Sequence, residues 1–309
     1  MTIYRSLKNV DQRPRGIALG VFDGVHQGHL ELIRRMQEAS AKKGLASSVF
    51  TFSYEDGLDF GGRVIGREFL TTEEEKIAIF RELGVEDIFL IPLQEDFQHL
   101  SPFDFLDQVI AGDLSGRLLA VGADARYGWK SEGDVDYLLD FAARRDLEPL
   151  IMGDIDFQGE KISSTRIRQS LAEGRLDEAT AMMTRPFRLE GTVIPGRRLG
   201  TTLGFPTANM LYPEHSALLR FGVYQTQVRV RGQDFPAVSS VGIAPSVHRD
   251  RRDILIESYL YDFSGDLYGE EARVEFVAFT RDELDFPSLS ELKARIDQDL
   301  IQVRALHGL

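Results

Sequence analysis

The sequence predicts a parallel α/β domain followed by a mostly antiparallel β-barrel that a C-terminal helix closes. Three observations carry that expectation. Short β-rich runs alternate with helical patterns through the first 184 residues, as expected of a parallel sheet that binds ligands at the C-terminal ends of its strands. After Arg185-Pro186 the texture changes to short runs separated by Gly, Pro and Asp turns. The last stretch, from about Ser288, repeats Leu292, Ile296, Leu300 and Val303 at helical intervals behind a Ser288/Glu291 capping box.

Taken in order, IALGV (17–21), SSVFTF (47–52), DIFLI (87–91) and LLAVG (118–122) read as strands. Helical patterns fall around 29–43, 72–83, 102–112 and 135–147, with two short ones after Ser164 and through 176–183. RLEGTVI, GVYQTQVRV, PAVSSVGI, ILIESYLY and ARVEFVAFT supply the barrel strands. The boundary is expected near residue 184, giving domains 1–184 and 185–309, each large enough for its own core.

Composition narrows the function. The chain of 309 residues has no cysteine, which removes disulfides, thiolate metal sites and cysteine nucleophiles and fits a reducing compartment. The opening MTIYRSLKNVDQRPRG has no apolar core and runs such as IFLIPL are too short to span a bilayer, so the expectation is a cytoplasmic protein with no membrane partner. A net charge of −13 argues against a nucleic-acid interface. Residues 184–309 hold 17 acidic and 15 basic side chains, against 32 and 21 before them. Anionic ligands in the first half therefore need local devices rather than a global positive field.

Two segments concentrate chemistry. In GVFDGVHQGH (20–29) a strand ends, a glycine turn follows and a helix begins near His26. His26 and His29 share a helix face beside N–H groups suited to a phosphate, and their imidazoles can donate to oxygens that gain charge in displacement at phosphorus. An ordinary capping turn with incidental histidines is the alternative. In GRRLGTTLGFPTANM (196–210), Gly196, Gly200 and Gly204 permit close backbone approach to phosphates. Thr207 and Asn209, two apart on an extended strand, offer hard oxygens to Mg²⁺, while a plain Gly/Pro hairpin would look similar. No GxxxxGK[ST] occurs, so this is not a P-loop kinase.

HxGH after the first strand is the nucleotidylyltransferase signature, and GVFDGVHxGH resembles the bacterial bifunctional riboflavin kinase/FMN adenylyltransferase family. ISSTRIR (162–168) and VGADARYG (121–128) match further segments. GFPTAN, ESYLYDFSGDLYGE (257–270) and FTRDELDFPSLSELKARIDQDL (279–300) resemble the kinase half in family order, so the likeness spans about 16–306. It implies a Rossmann-like nucleotidylyltransferase domain, then a six-stranded kinase barrel. It further implies His26 and His29 as catalytic groups of FMN adenylylation, with Gly20, Phe22, Asp23, Gly28, Asp124, Ser164, Thr165 and Arg168 at the substrate and nucleotide. Asp23 reads chiefly as a turn residue. Glu257 would be the base on the ribityl hydroxyl, with Thr207 and Asn209 at Mg²⁺. ATP is the co-substrate, riboflavin, FMN and FAD the substrates and products, and the enzyme a monomer or weak homo-oligomer. One active half beside a scaffold, or a non-catalytic flavin- or nucleotide-binding regulator, are the alternatives. Departures from the family pattern fall at 51–57, Ala125, Thr201 and 239–246, where they bear on flavin affinity and efficiency.

Overall fold

A computed structural model describes residues 1–53, 58–60, 63–65, 68–92, 99–196, 205–245 and 252–309. The chain divides into two compact units, Met1–Ser164 and Thr165–Leu309.

The first unit is built on an all-parallel six-stranded sheet. Its strands are β1 (Thr2–Tyr4), β2 (Arg15–Leu19), β3 (Ala46–Phe52), β6 (Asp87–Ile91), β7 (Gly116–Gly122) and β8 (Glu148–Met152), in the order β1-β6-β3-β2-β7-β8. A two-stranded ribbon, β4 (Leu58–Phe60) with β5 (Arg63–Ile65), stands apart. Of the four expected strands DIFLI forms over the residues it names and the other three have ends shifted by one or two residues, while β1 and β8 add to the sheet beyond the sequence expectation. All seven residues of β3 are buried, as a central strand covered on both faces requires. Two apolar clusters cover the faces, one around Phe50, Phe89 and Leu106, the other around Ile33, Val49 and Phe80.

Helix α1 (Gln27–Lys43) buries Leu32, Ile33, Met36 and Ser40, and ends on Gly44 in the left-handed region with Lys42 and Lys43 beside its last carbonyls. Gly16 of β2 is what lets it lie close, since a Cβ there would fall 1.9 Å from Ser40 Oγ. Helix α2 (Glu73–Glu82) opens on Thr72, whose hydroxyl accepts from Glu75 N. The pattern at 102–112 forms one α-turn, Pro102–Asp104, and then a π-helix, Phe105–Asp113. Its buried Phe105, Leu106, Val109 and Ile110 recur at intervals of four and five, which the wider winding places on one face. Helix α3 (Val135–Ala142) is shorter than the pattern suggests. A small hairpin, β9 (Asp156–Phe157) with β10 (Glu160–Lys161), leads to helix α4 (Ser164–Ala172).

The second unit is a six-stranded antiparallel sheet of β11 (Phe187–Thr192), β16 (Glu271–Asp282), β13 (Gly222–Val230), β14 (Gln233–Pro245), β15 (Arg252–Leu260) and β12 (Ala208–Leu211), in that order. It curls until its two edges meet, where Ile194 N donates to Asn209 O at 2.8 Å. Alternate residues line the inside, among them Tyr224, Val228, Val241, Ile256 and Phe276. Thr226, Ser239 and Ser258 also point inward and form a buried hydroxyl chain with 2.7 Å links. Helix α5 (Leu176–Met183) lies against β11 and β16. The closing helix α6 (Leu289–Leu306) is capped by Ser288, as its sequence indicates, and packs Val303 on Val223, Val238 and Tyr261. Asp299 anchors it to Arg281 of β16, and Arg295 of the same helix pairs with that carboxylate.

Candidate active sites

In the first unit, the strand order reverses between β2 and β7. A parallel sheet binds its ligand in the crevice outside the strand ends at such a switch point. GVFDGVHQGH follows β2 and VGADARYG completes β7, so both motifs sit at that point.

The turn between β2 and α1 is strained: Phe22, Gly24 and Val25 all have positive φ, at 54°, 79° and 35°. A β-branched valine there is an outlier that only surrounding contacts can maintain, at a cost of roughly 1–3 kcal/mol. Those contacts are present. Asp23 Oδ1 accepts from Leu70 N at 2.8 Å, Gly24 N donates to Thr71 Oγ1 at 3.2 Å, and Ser164 Oγ donates to Asp23 O at 2.9 Å. Asp23 is thus a turn residue, as its sequence position suggests, and Ser164 joins the ISSTRIR segment to the same turn.

His26 occupies the N-cap of α1 rather than its first turn and makes no side-chain cap bond. Its ring stacks on that of His29, with centroids 3.7 Å apart and planes 17° from parallel. Gly28 makes room for this, because a Cβ there would lie 3.2 Å from His26 Cε1. Phe22 is fully buried and sets its edge against His29 (5.1 Å) and Phe80 (5.6 Å), so it supports the histidine from below. A Cβ on Gly20 would lie 3.2 Å from the Phe22 ring.

Asp124, just beyond β7, lies at the surface, where Lys161 Nζ donates to its Oδ2 at 2.6 Å and also meets Asp154 at 2.7 Å. The Lys161 ammonium holds the Asp124 carboxyl below the usual carboxylate range. Ala125 N closes the turn on Gly122 O. Thr165 is exposed and Arg168 half-buried on α4; both fall within the second unit. His99 and His215 are exposed.

The kinase candidates assemble on the outer face of the barrel. Asn209 pairs directly with Glu257 across β12 and β15, and Glu257 with Ser240 across β15 and β14, making one lateral row. Asn209 is buried, and its Nδ2 donates to Thr207 O at 3.2 Å and meets Thr207 Oγ1 at 3.4 Å. Thr207 and Asn209 therefore do share a side. Glu257 is exposed. Gly196 lies against the Asn209 amide, with a hypothetical Cβ 2.4 Å from Nδ2. Phe205, two residues before Thr207, sits edge-on to Tyr259 at 6.4 Å and beneath Lys293 Nζ at 6.0 Å. Gly200 and Gly204, with Thr201 and Ser246, lie outside the described residues, as do positions 54–57.

Sequence reasoning missed the residues that hold the first site. Leu70, Thr71 and Lys76 are the chief ones, in the segment LTTEEEK (70–76). Its Thr72/Glu75 cap is legible, but nothing local distinguishes a lysine that folds inward from one in water.

Comparison with known proteins identifies the family. A family model described as FAD synthetase matches residues 8–166, and one described as riboflavin kinase matches 183–307. A bifunctional riboflavin kinase/FMN adenylyltransferase from Listeria monocytogenes is 34% identical over 289 residues, covering 94% of this chain and 91% of that protein. Its namesake from Pseudomonas fluorescens is 32% identical over 316 residues, covering 99% and 98%. The crystal structure of a macrolide-efflux protein from Streptococcus pneumoniae superposes with a TM-score of 0.86 at 26% identity, over 98% of both chains. Among the described residues here, no helix is long and apolar enough to cross a membrane. The chain belongs to the bifunctional riboflavin kinase/FMN adenylyltransferase family.

Proposed function

We propose a division of labour among named residues for the family's two reactions, by which the chain converts riboflavin to FMN and FMN to FAD. The observation that carries it is the stacked His26/His29 pair on a strained, cross-braced turn at the switch point of a parallel sheet.

In the adenylylation half, residues 1–184, a phosphate oxygen of FMN attacks the α-phosphorus of ATP in line, and the bond to the leaving pyrophosphate breaks. The protein supplies position and charge stabilisation rather than covalent chemistry. His26 and His29 donate to phosphate oxygens as negative charge moves onto them. Gly20 and Gly28 keep the turn close to the nucleotide, and Asp124 contacts it beside β7. Ser164, Thr165 and Arg168 are assigned from ISSTRIR, with hydroxyls and a guanidinium for the phosphates.

In the kinase half, residues 185–309, Glu257 takes the proton of the ribityl 5′-hydroxyl, whose oxygen attacks the γ-phosphorus of ATP and releases ADP. Gly196, Gly200 and Gly204 admit the phosphates. Among the described residues no group of three or more His, Cys, Asp or Glu could hold a metal by itself. Thr207 Oγ1 and Asn209 Oδ1 are neutral hard donors, which suits Mg²⁺ that keeps water and nucleotide phosphates as its other ligands. Bound there, Mg²⁺ would neutralise phosphate charge. The proposal includes a cytoplasmic location, since ATP is made and kept inside cells.

Chromatography of flavins after incubation with riboflavin and ATP tests the assignment. FMN and FAD should form with ADP and pyrophosphate, and only when Mg²⁺ is supplied. Riboflavin returned unchanged across a range of Mg²⁺ and ATP would sink it.

A further inference from the structure

Lys76 lies on helix α2, outside every motif assigned above, yet it is fully buried. Its Nζ donates to Val21 O at 3.3 Å, Thr51 Oγ1 at 3.2 Å and Phe52 O at 3.2 Å. Thr51 Oγ1 in turn donates to Val21 O at 2.9 Å. Val21 is the second residue past β2 and leads into the strained turn, while Thr51 and Phe52 end β3. One ammonium therefore joins the C-terminal ends of two neighbouring strands immediately beneath the turn that carries His26 and His29.

The preceding residues of the same segment bind the rest of that turn. Leu70 N and Thr71 Oγ1 meet Asp23 and Gly24, and a Cβ on Gly24 would lie 2.8 Å from Leu70 Cδ1. The segment 70–76 is thus a strap under the histidine turn, and Lys76 is its only cation. We propose that Lys76 is a positioning residue for FMN adenylylation, fixing the His26/His29 turn against the strand ends and placing a positive charge beneath the phosphate site. The inference rests on the assignment of His26 and His29 made above.

Burying an ammonium is costly, and three polar contacts with two nearby carboxylates only partly offset that cost. Desolvation draws the Lys76 pKa down to about 7, against the pull of Asp23 from the turn and Glu73 from its own helix. Glu73 is itself paired with Arg5 at 3.2 Å, and the ends of β2 and β3 offer carbonyls and one hydroxyl. A surface-stabilising role would place such a lysine in water. Its retention under the turn fits a requirement for a donor and a charge at that spot.

The test uses the full chain carrying Lys76→Met, which keeps the length and loses the donors. With FMN and ATP as substrates, kcat should fall on the order of 10²-fold, the loss expected when reacting groups are misplaced by about 1 Å. KM values should move much less, and riboflavin phosphorylation should be unchanged. The free wild-type enzyme should lose kcat/KM for adenylylation above about pH 7 as Lys76 deprotonates, a limb that Lys76→Met lacks. Wild-type turnover in folded Lys76→Met, or equal loss of both activities, overturns the proposal. Should Lys76→Met fail to fold, Thr51→Val decides. It removes the bridging hydroxyl and should lower adenylylation kcat several-fold while sparing the kinase reaction, and an unchanged kcat there overturns the proposal as well.

Discussion

Replacing Gly196 by alanine tests the kinase site through a single methyl group. The Gly196 backbone is open to alanine, since its φ lies outside the positive region. The added Cβ would fall 2.4 Å from Asn209 Nδ2, 2.7 Å from Cγ and 2.9 Å from Oδ1, where ordinary contact begins near 3.4 Å. The amide must therefore move by about 1 Å. It cannot take its backbone along, because Ile194 N holds Asn209 O at 2.8 Å and β15 holds the strand in register opposite Glu257. The side chain alone gives way, leaving Thr207 and the place where Mg²⁺ and phosphate would meet it. Misplacement on that scale costs on the order of 10²-fold in rate. The local overpacking costs roughly 1–3 kcal/mol of stability. The assay measures FMN formation from riboflavin at several Mg²⁺ concentrations, alongside FAD formation from supplied FMN and a thermal melt. We expect kinase turnover to collapse, the Mg²⁺ requirement to rise, and adenylylation to persist. A folded Gly196→Ala enzyme with wild-type riboflavin kinase activity would show that Asn209 is not where the phosphate chemistry happens.

His29→Ala should stop FAD formation from FMN, with a loss on the order of 10²–10³-fold for one transition-state donor, and spare FMN formation. Glu257→Gln should do the reverse, and product analysis of each variant with riboflavin or FMN reads the split. A fragment beginning at Thr165 should melt cooperatively and phosphorylate riboflavin without making FAD. One beginning at Arg185 should keep that activity but melt lower, because helix α5 buries Leu176, Met182 and Met183 and lies on β11 and β16. Equal melting temperatures for the two fragments would show that α5 adds nothing to the barrel.

Much of the fold was legible because the signals are local. Strand–helix alternation predicts a parallel sheet, and DIFLI forms a strand over the residues it names. Ser288 and Glu291 cap a helix for reasons contained within four residues. HxGH is legible for the same reason, and Gly28 shows why its spacing matters: the glycine leaves space for the imidazole of His26. What escaped depends on partners distant in sequence. The Asn209–Glu257 pairing joins positions 48 apart through strand register, which no local pattern encodes. Helix α5 has the amphipathic texture of the first half, yet its compact unit is the second. Lys76 looks like a solvated lysine on a charged helix until Val21, Thr51 and Phe52 converge on it.

The two proposed sites are held by different physics, and this decides where each is vulnerable. The histidine turn has an unfavourable backbone, with two non-glycine residues at positive φ, so it exists only while β3, the 70–76 strap and Ser164 all bind it. Damage to any of these, however far from the histidines in sequence, should reach His26 and His29, and adenylylation should be sensitive to buried changes that leave the sheet intact. The kinase row lies on regular antiparallel strands whose ladder fixes Asn209, Glu257 and Ser240 without strain. Behind it, the Thr226–Ser239–Ser258 chain links β13, β14 and β15 inside the barrel. That site should tolerate buried substitutions that spare the ladder and fail to small steric changes on the outer face. One chain thus presents a braced, strained turn and an unstrained strand row, and on the proposed assignment substitutions should separate the two activities along that line.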